Sequence, residues 1–412
     1  MKENVRILIF DVPDRRSVPI VGTLGKKYHF DYLIPIRKGF WGQFLVILLL
    51  KIIKPRFSKH IRFIPFNDEN DLAAGLIKFL NYHKYKGILA FSERSTALIC
   101  KHKSKFPLEV SIPFGSFEDF NKLNDKYSIL QIAKNLHIPT PKHIKIETIE
   151  DLDKAAYIGF PIVLKCRLAS GVKEALRICD SLDELRKAYE ELTSSKTLYS
   201  FFPNDELVAE EFIEGKIYDG CFSVKEGTIL ASITQKRDWT IPPSGGFGAR
   251  NTTHNIPELI RYGKLLFGKV KWTGPAQLEF IYDEKQNEFK LIEINPRFWG
   301  TIALSIKADM KIVESIMQSI IFGSSHSYRK TTPEGITFEW LLQEAYTAER
   351  LHGKSWTVIF NHIRRIFSKE INNFSYSFGI NLLLSLPHIL NNPTEKSPKN
   401  KMSESLATKL FK

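Results

Sequence analysis

The sequence predicts a multidomain protein that combines the α/β and α+β classes. Its 412 residues exceed what one compact core usually holds. Short apolar runs alternate with helical patterns over residues 5–115, which is typical of a parallel, Rossmann-like sheet. Beyond residue 160, strand pairs are joined by short polar turns, which indicates antiparallel pairing. From about Thr332 the periodicity is helical, so a helical C-terminal region is expected.

The elements of the first part follow from its apolar runs. Strands are predicted at VRILIF, YLIPI, IRFIPF and GILAF, with helices from about Ser17 and from Leu72 to Tyr82. No GxGxxG follows the first strand, where the residues are DVPD, and the chain has no GxxxxGK[ST] loop. Dinucleotide-binding and P-loop functions therefore lose their usual support.

The second part begins with a helical pattern at 117–136, which HIPTP ends. PIVLKCR and ALRIC form a candidate hairpin, and SLDE is a capping box for the helix that ends near Leu192. Further strands are predicted at LVAEEFI, CFSV, TILASIT, AQLEFIY and KLIEINP, with a glycine-rich loop PPSGGFG and a helix over 257–267.

Composition excludes several classes of protein. The four cysteines show no CxxC spacing and lie in apolar stretches, which indicates buried thiols in a reducing compartment. The N-terminus resembles a first strand rather than a signal peptide, so we expect a cytoplasmic protein. The apolar segment 40–53 is shorter than the roughly 18 to 20 residues of a membrane span. We expect a buried or interface helix there, with contact to a membrane surface as the alternative.

The formal net charge is +14. Such a charge indicates either a solvated basic surface or attraction of anions such as nucleotides. No RNP motif, zinc knuckle or aromatic-basic strip accompanies it, so no nucleic-acid partner is expected.

Two glutamates carry the clearest chemical signal. QLEFIY and KLIEIN are joined by a polar connection, and a hairpin symmetric about Gln286 places Glu279 opposite Glu293. Asn295 then shares their face of the sheet. Opposed carboxylates destabilise a sheet unless a cation lies between them. Three oxygen ligands match Mg²⁺, which typically binds one or two carboxylates plus substrate phosphates, and Arg297 follows two residues later.

This string, GPAQLEFIYD…LIEINPRFWG, is similar to the metal-binding signature of the ATP-grasp superfamily. It looks most like the carbamoyl-phosphate synthase large chain and its stand-alone carboxylate–amine ligase relatives. The resemblance is close over about 115–310 and loose before it. It implies a Rossmann-like pre-ATP-grasp domain at 1–115, a two-subdomain ATP-grasp fold at 116–195 and 196–325, and a helical extension at 326–412.

The resemblance also implies a set of nucleotide-binding residues. NDKY followed by HIPTP resembles the start of the family's ATP site, and PIVLK resembles its phosphate-binding strand. The small-residue turn after that strand lies where the family covers the phosphates, and LVAEEFI resembles the adenine hinge. ATP contacts are thereby assigned to Lys126, Lys165, Ser170, Gly171, Glu210, Glu211, Phe212 and Ile213, with Asp219 as the ribose acid.

The implied reaction is attack of a carboxylate oxygen on the γ-phosphate of ATP, followed by attack of an amine on the acyl-phosphate. Mg²⁺, with Mn²⁺ as the alternative cation, would be held by Glu279, Glu293 and Asn295. Arg297 would stabilise the transferring phosphoryl group, and Arg237 and Arg250 would hold the acceptor carboxylate. Small-molecule carboxylates and amines are therefore the expected partners. Phosphorylation of a carboxylate or carbamate without amide formation stays open, as does a non-catalytic nucleotide-binding or membrane-surface protein.

Overall fold

The computed structural model describes residues 5–37, 58–168, 176–194, 206–241, 247–323, 328 and 331–340. Several predictions fall outside these residues. They concern the apolar segment 40–53, the phosphate-covering residues Ser170 and Gly171, and the chain from 341 onward. No helix in the described ranges is long and apolar enough to cross a membrane.

The N-terminal part is a four-stranded parallel sheet, as the alternating pattern predicts. Its strands are β1 (Arg6–Ile9), β2 (His29–Arg37), β3 (Ser58–Phe66) and β4 (Gly87–Leu89), in the order β3-β2-β1-β4. Its helices are α1 (Ser17–Leu24), α2 (Glu69–Tyr82) and α3 (Glu93–His102). Asp68 and Ser92 cap α2 and α3 by accepting hydrogen bonds from backbone N–H groups in the first turn.

The middle of the chain forms a small antiparallel sheet. Helices α4 (Phe117–Asn124) and α5 (Lys126–Asn135) precede the sheet in the chain. Helices α6 (Asp151–Ala156) and α7 (Leu182–Ser194) connect its strands. Its strands are β5 (His143–Ile146), β6 (Ile162–Cys166), β7 (Leu176–Cys179) and β8 (Leu207–Glu211), in the order β5-β8-β6-β7. The predicted hairpin is the pair β6–β7. Because β8 completes this sheet, the sheet extends past the predicted domain boundary at 195.

A six-stranded antiparallel sheet follows. Its strands are β9 (Gly215–Lys225), β10 (Thr228–Ile241), β11 (Phe247–Thr253), β12 (Gly274–Asp283), β13 (Glu288–Asn295) and β14 (Thr337–Glu339), in the order β13-β12-β9-β10-β11-β14. Its helices are α8 (Pro257–Val270), α9 (Ile302–Lys307) and α10 (Ile312–Phe322). The prediction of helix from about Thr332 is wrong for β14, because pairing with β11 outweighs the local periodicity.

The apolar side chains form two large shared cores and one separate core. One shared core joins Leu8 and Phe10 of the N-terminal sheet to Phe222 and Phe280 of the large sheet. The other joins the opposite face of β1 to α9, α10 and the segment before α9. The small sheet has a core of its own, built from residues between 146 and 209. The N-terminal and large sheets therefore pack as one body, with the small sheet beside them.

Candidate active site

Four polar side chains form one row across the large sheet. In register, Gln235 of β10 lies opposite Asp219 of β9, Asp219 opposite Glu279 of β12, and Glu279 opposite Glu293 of β13. The pairing of Glu279 with Glu293 predicted from hairpin symmetry is therefore confirmed. Side chains alternate between the two faces of a strand, so the row points to one side.

A β-bulge shapes this row. The register of β12 and β13 shifts between Glu279 and Phe280, so that Ile292 is an extra residue. The bulge lets Leu291 enter the core while Glu293, only two residues later, faces the site. The carbonyl of Ile292 accepts a hydrogen bond from Nζ of Lys165 at 3.2 Å. The irregular strand thus exposes both a carboxylate and a carbonyl to the site.

Asn295 joins the two glutamates. Its Nδ2 donates to Oε1 of Glu279 at 2.9 Å and to Oε1 of Glu293 at 2.8 Å, and its Oδ1 accepts from Arg297 at 2.8 Å. Burial raises the pKa of Glu279, and Glu293 adds to the rise. Burial would also raise the pKa of Glu293, but Lys126 and Lys165 outweigh it and lower that pKa.

The donor set fits a hard cation with one condition. Glu279 and Glu293 offer buried, opposed carboxylates, which suit Mg²⁺. The amide nitrogen of Asn295 now lies between them, so the amide must rotate before its oxygen can become a third ligand. Among the described residues, no cluster of three His, Cys, Asp or Glu side chains could hold a metal ion. Further ligands would therefore come from Asn295 or from substrate oxygens.

The two predicted phosphate lysines lie close to the carboxylate pair. Lys126, at the start of α5, is buried, and its Nζ lies 3.6 Å from Oε2 of Glu293. Lys165 of β6 is also buried, and its Nζ lies 2.8 Å from Oε1 of Glu210. A buried ammonium requires an anion nearby, and Glu210 supplies it for Lys165. Helix α5 and strand β6 of the small sheet thus each bring a lysine to the carboxylates and the carbonyl of β13.

The predicted adenine segment lies beside these lysines at the end of β8. Glu210 is buried against Lys165, and Glu211 accepts a hydrogen bond from the backbone N–H of Lys142 at 3.3 Å. The N–H of Phe212 donates to the carbonyl of Pro161 at 3.2 Å, and Ile213 follows it, half-buried. The structure therefore places Glu210 beside Lys165, and the adenine contacts of 210–213 stay a prediction.

Asp219 and Arg237 form a buried ion pair in the row. Asp219 is fully buried in the row and accepts hydrogen bonds from Nε of Arg237 at 3.0 Å and Nη2 at 2.6 Å. Nη2 of Arg237 also lies 2.7 Å from Oε2 of Glu279. Although burial opposes its charge, Asp219 and Glu279 raise the pKa of Arg237. Asp219 and Arg237 are therefore paired with each other in the row, and the ribose contact of Asp219 and the acceptor contact of Arg237 stay predictions.

The other two predicted arginines lie apart. Arg297 follows β13, bonds Asn295, and donates to the carbonyl of Phe298 at 3.1 Å, so it borders the metal face. Arg250 lies on β11 between Asn251 and Ala249, and its guanidinium lies 5.8 Å from the ring centroid of Trp239. Since neighbouring residues of a strand face opposite sides, Arg250 is not brought to the carboxylate face on which Asn251 lies opposite Arg237.

Two arginines that the motifs did not predict also approach the site. Arg15 and Arg16 follow β1, and the guanidinium of Arg15 packs against the backbone of Gly300. Burial first, and then the charges of Arg16, Arg297 and Arg237, lower the pKa of Arg15 to about 10. The signal that could have revealed them is their position at the carboxyl end of a parallel strand, where open α/β sheets bind ligands.

This geometry matches solved structures over most of the chain. The biotin carboxylase domain of Hydrogenobacter thermophilus 2-oxoglutarate carboxylase, solved with MgADP, ADP and bicarbonate, superposes with a TM-score of 0.64 at 15% identity, covering 81% of this chain and 73% of that one. The chain has the ATP-grasp fold.

Other ATP-grasp structures show the same likeness. N5-carboxyaminoimidazole synthetase from Staphylococcus aureus, complexed with ADP, gives a TM-score of 0.60 at 16% identity, covering 82% of each chain. L-amino acid ligase from Bacillus licheniformis gives 0.55 at 17% identity, covering 78% of this chain and 75% of that chain. At such identities the likeness concerns the fold.

Sequence similarity is distant and partial. The C-terminal section of the carbamoyl phosphate synthase large chain of Methanopyrus kandleri is 24% identical over 200 residues, 46% of this chain and 36% of that protein. Urea amidolyase of Saccharomyces cerevisiae is 28% identical over 180 residues, 42% of this chain and 10% of that protein. No protein-family model matches the chain. The chain thus spans about a third or less of the length of these curated relatives.

Proposed function

We propose that the chain is an ATP- and Mg²⁺-dependent ligase that joins a carboxylate to an amine through an acyl-phosphate. The observation that carries the proposal is the buried, opposed pair Glu279 and Glu293, with Lys126 beside Glu293 and Lys165 on the neighbouring carbonyl of Ile292. Opposed carboxylates next to two lysines suit a bound metal–polyphosphate.

Each group then has a defined task. A bound Mg²⁺ would neutralise phosphate charge as a Lewis acid. Lys126 and Lys165 would bind the phosphates, and 210–213 would hold the adenine. Arg237 would orient Glu279 and oppose the rise of its pKa on burial, and Arg297 with Arg15 would bind the transferring phosphoryl group.

The reaction needs no covalent enzyme intermediate. A substrate carboxylate oxygen attacks the γ-phosphorus, the bond to the β-phosphate oxygen breaks, and ADP leaves. The amine nitrogen then attacks the acyl carbon, phosphate leaves, and one proton is released. Water must be kept out until the amine arrives, because the acyl-phosphate hydrolyses readily.

A second candidate is phosphorylation of bicarbonate or a carbamate. It is favoured by the likeness to a biotin carboxylase domain that was solved with bicarbonate. The same residues would serve both reactions, so only the products separate them. Consumption of amine in proportion to ADP supports the ligase, and ADP release that depends on bicarbonate supports the second candidate.

The test is an ADP-release screen over carboxylate and amine pairs, with and without bicarbonate. Removing Mg²⁺ with EDTA should abolish release. Glu293→Gln should lower the rate by about 10²–10³, the usual effect of removing one group that stabilises the transition state electrostatically. Glu288→Gln, on the same strand but outside the row, should leave the rate unchanged. A broad panel with no release above the Glu293→Gln background would refute the proposal.

A further inference from the structure

A group of buried polar atoms lies beside the carboxylate row, on the same face of the large sheet. Asn251 is fully buried, yet neither its Oδ1 nor its Nδ2 has a hydrogen-bond partner among the described residues. In register it lies opposite Arg237, one strand beyond the row. Leaving a buried amide unpaired costs free energy, so such a group requires an explanation.

Two neighbouring side chains also have buried polar atoms without a hydrogen-bond partner among the described residues. Gln235, also fully buried, uses its Nε2 to donate to Asp219 at 2.9 Å and to Oγ1 of Thr301 at 2.7 Å, but its Oε1 has no partner in the described chain. Trp340 is buried, and its Nε1 likewise has none within the described ranges. The backbone N–H of Trp340 bonds Ala249, two positions from Asn251, so the indole lies on the Asn251 face.

The local backbone accommodates the Asn251 amide. A Cβ atom at Gly248 would lie 2.2 Å from Oδ1 and 2.7 Å from Nδ2 of Asn251, so a residue larger than glycine would displace the amide. On the other side, Trp340 packs against Leu304 of α9. The amide is thus held in place by the surrounding backbone and side chains.

The unpaired atoms match one chemical group. They comprise two acceptors, Oδ1 of Asn251 and Oε1 of Gln235, and two donors, Nδ2 of Asn251 and Nε1 of Trp340. A primary carboxamide offers two N–H donors and two acceptor lone pairs. A carboxylate has no donor, and an alkyl group has neither. Arg237, the cation opposite Asn251, is already paired with Asp219 and Glu279, so its charge is balanced within the row.

The distance from the reacting centre defines the role. Gln235 lies two strands from Glu279, and Asn251 lies three strands away. At about 4.8 Å per strand these separations are roughly 10 and 14 Å. A group bound here is therefore remote from the γ-phosphate.

We infer that Asn251, Gln235 and Trp340 form a specificity subsite that binds a primary carboxamide at the far end of the carboxylate or amine substrate. The inference rests on the proposed function for the identity of the reacting end. The carboxamide would accept hydrogen bonds from Nδ2 of Asn251 and Nε1 of Trp340, and would donate to the two amide oxygens.

The test measures binding without turnover. L-glutamine and L-asparagine carry the carboxamide and can occupy the subsite without reaching Glu279, whereas L-glutamate and L-methionine have similar sizes and lack the carboxamide. We expect L-glutamine or L-asparagine to raise the Tm of the wild-type protein. L-glutamate and L-methionine should bind at least about tenfold more weakly, because a site built for hydrogen bonds rejects analogues that lack them.

Variants can distinguish a ligand-binding role of these side chains from a purely structural role. Asn251→Leu removes the unpaired amide, so the free variant should be at least as stable as wild type while losing the Tm shift. Trp340→Phe removes one donor, keeps the ring and should weaken the shift. Asn255→Leu, at an exposed position after β11, should keep it.

Two results would overturn the inference. One is an equal response, or none, to all four amino acids. The other is an Asn251→Leu variant that is less stable than wild type and keeps the ligand-dependent rise in Tm. That result would mean that the Asn251 amide binds an ordered water and has a structural role only. A carboxamide-dependent shift without ADP release from any pair would refute the ligase proposal and leave the subsite standing.

Discussion

At the scale of single residues, the site is organised by pairs of buried charges. Sequence reasoning correctly required an anion near Lys165, yet the nearest one in the structure is Glu210, from a strand 45 positions later. It placed Arg237 at an acceptor, yet Arg237 lies between Asp219 and Glu279. Such partners depend on strand register across the sheet, which local motifs do not encode. The carboxylate pair was predictable because both members belong to one hairpin.

Replacing Arg237 tests whether it orients the row. Arg237→Met leaves Asp219 and Glu279 buried without their cation, so the free energy of unfolding should fall by about 3–5 kcal/mol. Urea denaturation measures this change. Arg261→Met, on the exposed face of α8, should cost less than about 1 kcal/mol. If Arg237→Met raised a substrate KM while leaving stability equal to that of Arg261→Met, the acceptor role predicted from sequence would be correct instead.

At the scale of elements, hydrophobic periodicity predicted the described strands of both antiparallel sheets except β5, β11 and β14, and it did not predict their irregularities. The register prediction was right at Glu279 and Glu293. Towards the turn it was wrong by one residue, because the bulge at Ile292 shifts the later pairs to Phe280–Leu291 and Asp283–Glu288. A bulge reflects tertiary demands on both faces of a strand. Here it satisfies the core at Leu291 and the site at Glu293 together.

The contribution of Asp125, at the start of α5, to folding stability should depend on pH. Asp125 caps this helix by accepting from the N–H of Tyr127 and bonds both Ser128 and Arg167. Burial alone would raise the pKa of Asp125, but the bonds from Arg167 and Ser128 outweigh it and lower the pKa below its usual value of 3.8. A lowered folded-state pKa contributes stability above the unfolded value, and this contribution is lost as pH falls through the folded pKa.

Asp125→Asn keeps a capping oxygen and removes the charge. At pH 7 it should lower the free energy of unfolding by about 1.5–3 kcal/mol, the range for hydrogen bonds to charged groups. The difference from wild type should shrink as pH falls below about 4. Glu190→Gln, on the exposed side of α7, should show almost no difference at either pH. A gap that stays constant from pH 7 to pH 3 would contradict the role of the Asp125 charge.

At the scale of the whole molecule, the parallel N-terminal sheet and the antiparallel strand pairs after it were predictable, whereas the association of the sheets was not. The N-terminal and large sheets share two cores, so Phe10 and Phe280 belong to one cluster although 270 positions separate them. Leu164 belongs to the separate core of the small sheet. The proposed ATP-binding residues come from both bodies, with Lys165 and Glu210 on the small sheet and Glu279 and Glu293 on the large one. The candidate active site therefore draws its residues from two parts of the molecule that have different cores.

Hydrogen exchange can show whether the cores define the cooperative units. Leu278→Ala and Leu164→Ala delete the same atoms from fully buried strand positions in different cores, and each should cost about 2–5 kcal/mol in its own unit. Leu278→Ala should speed exchange in β12 and also in β1, because the shared core makes the two sheets open together. It should leave β6 and β7 unchanged. Leu164→Ala should speed exchange in β6 and β7 and leave β1 and β12 protected. If Leu278→Ala left β1 protected, the two sheets would be independent units despite their common core.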